Sequence, residues 1–250
     1  MLLPIGRDTA GSRATPIIVY LLVLANIVVF IIELVAGDNF ITGYSVVPYE
    51  IMHGVDIVHN VFVPGVGIIP QSPGPTPIYL TLITAMFLHS GFLHLAGNML
   101  YLWIFGGEIE DDFGHLRFLV FYLVCGIAAT FAQIWMDPDS VIPSLGASGA
   151  IAGVLGAYIL LFPFNRIRVL LPIGFVLVPV RLPALVFIGF WIVFQFFDEF
   201  MAITGQNAQT RNGGVAYMAH IGGFLVGMAL SLFFRPVHDS GSDQRTYTKV

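Results

Sequence analysis

The strongest constraint on the fold of this chain is its set of six apolar stretches, each close to the 20 residues or so that a helix needs to cross a bilayer. Hydrophobic residues make up 57% of the 250 residues and charged residues only 10%, whereas a soluble domain carries about 25% charged residues. This composition is typical of a multi-pass membrane protein. The predicted spans are residues 17–35, 82–105, 116–135, 145–164, 182–203 and 215–234.

We therefore predict an all-α polytopic membrane protein, a six-transmembrane-helix bundle over residues 1–235, with a polar and disordered tail at 236–250. The first span is longer than the hydrophobic region of a signal peptide, so we expect it to stay in the protein. A shorter apolar stretch, 169–180, is interrupted by prolines and flanked by arginines. That pattern favours a segment lying in the membrane interface.

The basic residues predict the orientation of the bundle. If the N-terminus is cytoplasmic, nine of the ten Lys and Arg residues lie on the cytoplasmic side and only Arg211 lies outside, as the positive-inside rule requires. We expect a multi-pass protein of the cell membrane with both termini in the cytoplasm. The nine residues are Arg7, Arg13, Arg117, Arg166, Arg168, Arg181, Arg235, Arg245 and Lys249.

Polar residues interrupt three of the spans, and polar groups inside a bilayer are costly and usually functional. Ser148 lies in Leu-Gly-Ala-Ser-Gly-Ala, His220 lies in Ala-His-Ile-Gly-Gly-Phe, and His94 precedes Asn98 by one helical turn. Spans two, four and six all enter the bilayer from the outer face in the predicted topology. The four side chains therefore share one depth near that face.

These residue types predict nucleophilic hydrolysis. A serine hydroxyl attacks only when a base takes its proton, and His220 is the natural base for Ser148. His94 and Asn98, spaced i and i+4, share one helix face, and with the backbone N–H of Ser148 they can form an oxyanion hole. Gly146 and Gly149 flank Ser148 and permit a close approach to the helix start.

Hydrolysis also consumes water. We expect the proline-containing segment 137–146 to dip inward and form one wall of a water-filled cavity, where non-helical backbone is tolerated at membrane depth.

These motifs resemble the rhomboid family of intramembrane serine proteases, and the resemblance covers spans two to six. The motifs are Gly-Ala-Ser-Gly at 146–149, His94-x-x-x-Asn98, Ala219-His220-x-x-Gly223-x-x-x-Gly227, Phe-Leu-His at 87–89 and Glu110-Asp-x-x-Gly114.

The resemblance implies a catalytic dyad of Ser148 and His220 without a third acid, and an oxyanion hole lined by His94 and Asn98. It implies single-span membrane proteins as substrates, cut near the outer edge of the span, and no metal or cofactor. The expected partners are these substrates and the lipid bilayer. One position departs from the family pattern: Ala152 stands where many members carry an aromatic residue that supports the histidine. Either another group orients His220, for which Tyr217 is a candidate, or the site is looser.

Three further features have plain structural interpretations. The pairs Gly149-x-x-x-Gly153 and Gly223-x-x-x-Gly227 predict close helix packing. His89 lies five residues before His94, which on a helix is a different face, so we expect a structural or water-binding role. The aromatic residues of the fifth span contact lipid by default, with a substrate gate as the alternative.

Other functions fit the sequence less well. No basic cluster indicates nucleic-acid binding, no His-Glu-x-x-His motif indicates a zinc protease, and Asp198 has no second intramembrane aspartate for an aspartyl protease. A transporter would show internal repeats with broken helices. The main alternative is a catalytically inactive rhomboid-like protein that binds membrane clients, although such proteins usually lack the serine or the histidine.

Overall fold

Helices occupy all six of the apolar stretches. The computed structural model describes residues 3–8, 15–173, 176–203 and 216–234. Its helices are α1 (Ile17–Ala36), α2 (Asp38–Tyr44), α3 (Pro48–His53), α4 (Thr81–Thr84), α5 (Phe92–Phe113), α6 (His115–Met136), α7 (Ser148–Leu161), α8 (Ala184–Ile203) and α9 (Tyr217–Phe234). Its strands are β1 (Leu3–Asp8), β2 (Val61–Val63), β3 (Gly67–Ile69), β4 (Arg166–Ile173) and β5 (Val176–Pro183).

Length and composition support fewer spans than the six predicted. In the described residues, α1, α6 and α9 are long and apolar enough to cross a membrane, and a fourth span results if Ile78–Phe87 and Phe92–Phe113 are counted together. Helix α7 has 14 residues, or about 21 Å at 1.5 Å per residue, which is shorter than a bilayer core of about 30 Å. The arrangement of six spans therefore remains a prediction.

Two predicted helix boundaries were wrong, and glycine backbone conformations explain both. The span predicted at 82–105 is broken between Phe87 and Phe92, where the two helical parts meet at 80°, and its second part runs on to Phe113, where Gly114 ends it at a φ of +83°. The span predicted at 145–164 starts only at Ser148, because Gly146 has a φ of +126°, which lies outside the right-handed helical region.

The apolar stretch predicted to lie in the interface forms an antiparallel hairpin of β4 and β5. Strand β1, which the sequence analysis did not predict, pairs with β4 to give a sheet of order β1-β4-β5. The strands of this sheet contain Arg7, Arg166, Arg168 and Arg181, four residues predicted to lie on the cytoplasmic side. The predicted tail at 236–250 lies outside the described residues.

Helix α7 lies at the centre of the bundle, with every residue from Gly149 to Tyr158 buried. Helices α5, α6, α8 and α9 pack against it, and α1 lies outside α5. The buried Glu110 of α5 holds α1 in place, because its carboxylate accepts the backbone N–H groups of Ile18 and Val19, each at 2.8 Å. A carboxylate at a helix N-terminus also interacts favourably with the helix dipole.

The predicted close packing of α7 on α9 is confirmed at the glycines. A Cβ atom added at Gly227 would overlap the backbone of Gly153, and one added at Gly223 would overlap the carbonyl oxygen of Gly149. The two helix backbones are therefore in direct contact, as small residues permit in membrane bundles.

The segment between α1 and α5 packs onto the non-helical connection 137–147, which leads into α7. Val46 and Ser144 exchange backbone hydrogen bonds of 2.9 and 2.7 Å, and the Gln71 side chain donates to the Val141 carbonyl at 2.6 Å. Within the segment, the carboxylate of the buried Glu50 accepts the Ile57 N–H at 2.7 Å. These contacts set the position of the connection relative to the helices.

The glycine contact predicts that Gly227→Ala destabilises the bundle by about 1–3 kcal/mol, as overpacking does in other tightly packed interiors. The matched control is Gly189→Ala on α8, where an added Cβ meets no atom within 4 Å, so its stability should be unchanged or slightly raised. Thermal unfolding in detergent measures both variants. Equal melting temperatures for the two would contradict the contact.

Glu50 predicts a pH-dependent stability. Burial raises the pKa of this carboxyl from 4.5 to about 7, although the Ile57 N–H opposes that shift and the charge of Asp56 adds to it. The folded state then binds the proton more tightly than the unfolded state, so stability falls as pH rises from about 4.5 to 7. Glu50→Gln removes this loss. The melting temperature of the variant, relative to that of the wild type, should therefore increase as pH rises from 5 to 8. Parallel melting curves across that range would contradict the prediction.

Candidate active site

Ser148 is the first residue of α7, and His220 is the fourth residue of α9. Because the two helices are in backbone contact near these ends, the side chains meet: His220 Nε2 lies 2.8 Å from Ser148 Oγ. Two residues separated by 72 positions in the chain are thus hydrogen-bonded to each other. The start of α7 also places the positive end of a helix dipole at Ser148.

The second ring nitrogen of His220 is hydrogen-bonded as well. Its Nδ1 lies 2.6 Å from the side-chain oxygen of Gln195 on α8, and an amide oxygen only accepts. Nδ1 therefore carries the proton, which leaves Nε2 of a neutral imidazole free to accept the Ser148 hydroxyl proton. The sequence analysis did not find Gln195; the available signal was a lone amide side chain among the apolar residues 184–197 of the fifth predicted span.

Two aromatic rings lie close to that of His220. The Trp191 ring centroid lies 5.8 Å from that of His220, and the Tyr217 ring meets it edge-on at 6.4 Å. Ala152, where the family pattern has an aromatic residue, is fully buried. Tyr217 thus lies beside His220 as expected of a supporting residue, whereas the hydrogen bond comes from Gln195.

His94 lies in the first turn of α5, and its ring lies near Gly146 and Ser148. A Cβ atom added at Gly146 would come within 3.0 Å of His94 Nε2 and 3.7 Å of Ser148 Oγ. The Nδ1 atom of His94 accepts the Ser90 N–H at 3.4 Å and lies 3.1 Å from the Ser90 hydroxyl. A neutral His94 then carries its proton on Nε2, the edge that lies beside Gly146. Ser90, whose N–H is hydrogen-bonded to His94 Nδ1, is a second residue that the sequence analysis did not find.

Asn98 follows His94 by one turn on α5, which packs against α7. The residue is buried, and its Nδ2 atom has no hydrogen-bond partner among the described residues. A buried donor without an acceptor costs about 1–3 kcal/mol. Such a donor is typical of a site that supplies its hydrogen bond to a ligand or a transition state.

The remaining predicted site residues are structural in their contacts. Gly223 belongs to the α7–α9 packing, since a Cβ there would overlap the Gly149 carbonyl oxygen, whereas a Cβ on Gly149 would come within 2.6 Å of the Ala129 Cβ on α6. His89 lies in the break before α5 rather than on that helix, so the argument that it points to another helix face was wrong. Its ring meets that of His94 edge-on at 5.1 Å, and its backbone N–H donates to the buried Glu33 carboxylate at 3.1 Å.

A small cavity adjoins Ser148, with a volume of about 30 Å³ and Ser144, Leu145, Gly146 and Ser148 in its wall. The connection before α7 thus contributes to a cavity wall, as expected, and the water in that cavity stays a prediction. The volume is enough for at least one water molecule, which needs about 10–15 Å³. In the described part of the chain, no group of three or more His, Cys, Asp or Glu side chains is placed to hold a metal ion.

Comparison with known proteins gives a consistent result. The family model for the Rhomboid domain matches residues 77–237, more than half of the chain. The chain is 33% identical over 153 residues to Rhomboid protein 1, mitochondrial, of Saccharomyces cerevisiae, a match covering 60% of the chain and 40% of that protein. It is 44% identical over 93 residues to Rhomboid protease GluP of Bacillus subtilis, covering 37% of the chain and 18% of that protein.

A third relative, RHOMBOID-like protein 5 of Arabidopsis thaliana, is 40% identical over 76 residues, which is 30% of the chain and 25% of that protein. The chain thus spans less than half the length of each of these relatives. The Rhomboid match itself includes all the helices of the site, from α5 to α9. The chain belongs to the rhomboid family.

Proposed function

We propose that this protein is an intramembrane serine endopeptidase that hydrolyses peptide bonds of single-span membrane proteins near the outer membrane face. The observation that carries the proposal is the 2.8 Å hydrogen bond between Ser148 Oγ and His220 Nε2. Membership of a family that includes named proteases supports it. In the proposed topology the protein crosses the cell membrane several times and keeps both termini in the cytoplasm.

The reaction follows from the positions of the donors and acceptors. Ser148 Oγ attacks the substrate carbonyl carbon while His220 Nε2 takes the hydroxyl proton. The carbonyl oxygen becomes an oxyanion, which accepts hydrogen bonds from Asn98 Nδ2, His94 Nε2 and the Ser148 N–H. His220 then gives its proton to the leaving amine, and an acyl-enzyme remains on Ser148.

The second half of the reaction needs water beside the acyl-enzyme. A water molecule in the cavity next to Ser148 loses a proton to His220 and attacks the acyl carbon, and the same donors stabilise the second oxyanion. Proton return from His220 to Ser148 Oγ releases the acid product. The helix start at Ser148 favours negative charge at this point in both steps.

Cleavage of a panel of single-span substrates in liposomes tests the proposal. We expect the wild type to cut at least one substrate, and Ser148→Ala and His220→Ala to cut none. Asn98→Ala removes one oxyanion donor and should lower kcat roughly 10²- to 10³-fold. Ser231→Ala is the matched control, because Ser231 lies further along α9 and, within the described part of the chain, its hydroxyl donates to the Met228 carbonyl alone, so it should keep full activity.

The contradicting outcome is a folded wild type that binds these substrates in the membrane and cuts none of them. That result would favour the client-binding alternative.

Gly146 predicts a second effect on activity. In Gly146→Ala the new methyl group would press on the His94 ring at about 3.0 Å, and the alanine would have to adopt an unfavourable backbone φ of +126°. Because this displaces an oxyanion donor, kcat should fall at least about tenfold. The control is Gly67→Ala, which has a similar φ of +115° but no atom within 4 Å of the added methyl. Cleavage rates and melting temperatures of both variants separate strain from displacement of His94. Equal losses of activity in the two variants would contradict the role of His94.

A further inference from the structure

We propose that Gln195 is a positioning residue for His220: its side-chain oxygen selects the imidazole tautomer that can act as a base, and it completes a Ser148–His220–Gln195 chain of hydrogen bonds. The inference rests on the proposed function, because it assigns Gln195 a role in activating Ser148. The resemblance to the family implied a dyad and left the orientation of His220 without a polar partner.

Gln195 is turned inward on a helix whose neighbouring residues face outward. It is 8% exposed, whereas Phe194, Phe196 and Phe197 are 59%, 51% and 57% exposed. A buried amide without partners would cost about 1–3 kcal/mol, and here the bond to His220 Nδ1 at 2.6 Å provides one. The inward face of α8 therefore holds an amide whose oxygen accepts a hydrogen bond from His220.

The direction of this hydrogen bond decides the chemistry. The amide oxygen accepts from Nδ1–H, so the Nε2 lone pair points at the Ser148 hydroxyl 2.8 Å away. In the other tautomer, Nδ1 would set its lone pair against the amide oxygen and Nε2–H would face the hydroxyl. An imidazole in that state cannot take the proton from Ser148.

A neutral amide suits this position better than a carboxylate. An ionised group within an apolar bundle carries a large desolvation penalty, whereas an amide oxygen orients the ring without a net charge. Trp191, one turn earlier on α8, packs near the same ring at 5.8 Å. Helix α8 thus supplies both the polar and an aromatic contact of His220, and the base is aligned only while α8 is docked against α9.

The tautomer of the wild-type protein tests the proposal without any substitution. In ¹⁵N-histidine-labelled protein at neutral pH, with His220→Ala used to assign the signal, His220 should show a protonated Nδ1 and an unprotonated Nε2. A His220 protonated on Nε2 would overturn the proposal, because the amide would then present its NH₂ group to Nδ1.

Kinetics separate a positioning role from simple space filling. Gln195→Met keeps the length of the side chain and loses the acceptor, so we expect kcat and the rate of Ser148 labelling by a fluorophosphonate to fall roughly 10- to 100-fold, within the contribution of general base catalysis. KM should change little. Gln195→Glu restores an acceptor and should recover part of the rate, with the acidic limb of the pH profile moved to higher pH because a carboxylate favours the protonated imidazole.

Val193→Ala, on the exposed side of α8, is the matched control for a general disturbance of that helix and should label at the wild-type rate. If the wild type labels at Ser148 but Gln195→Met labels equally fast with an unchanged ¹⁵N signal, this inference is wrong and the proposed function stands. If folded wild-type protein shows neither Ser148 labelling nor cleavage of the single-span panel, the proposed function itself is wrong. The two failures are therefore distinguishable.

Discussion

The backbone contact between α7 and α9 is the constraint on which the rest of the site depends. Gly223 and Gly227 on α9 lie directly against the backbone of Gly149 and Gly153 on α7, with no room for a Cβ atom, and a Cβ on either α7 glycine would meet a side chain of α6. In lipid no hydrophobic force draws two apolar helices together, so close van der Waals packing must hold them. Ser148 and His220 lie near the ends of these two helices, and their 2.8 Å contact follows from how closely the helices approach.

The second requirement is irregular backbone at the depth of the site, with its polar groups satisfied. In the connection before α7, Ser144 exchanges backbone hydrogen bonds with Val46, and the Gly146 N–H donates to the Ala85 carbonyl at 2.8 Å. The break before α5 is held by the carboxylate of Glu33, which accepts the His89 N–H. Non-helical backbone is tolerated in a membrane protein only where protein or a cavity surrounds it, and here it leaves an opening beside Ser148.

Much of the site was predictable because its residues lie in short motifs with few other uses. Ser148, His220, His94 and Asn98 are polar groups in apolar stretches, and the predicted topology already placed them at one depth. The helix starts were less predictable, since a single φ of +126° at Gly146 delays α7 and periodicity does not report it. Strand β1 depends on pairing with β4 across more than 150 residues, which no local pattern reveals. Gln195 and Ser90 contact His220 and His94 in positions that packing decides, so these contacts became visible only in the structure.

The central claim is that the Ser148 hydroxyl, activated by the His220 imidazole, faces the hydrogen-bond donors of α5, His94 and Asn98, in one pocket. A crystal structure of the protein after reaction with a peptidyl fluorophosphonate tests this most directly. The account predicts a phosphorus–oxygen bond at Ser148, with the phosphonyl oxygen about 3 Å from Asn98 Nδ2, a typical distance for an oxyanion-hole donor. An adduct on another residue, or a phosphonyl oxygen directed away from α5, would contradict it.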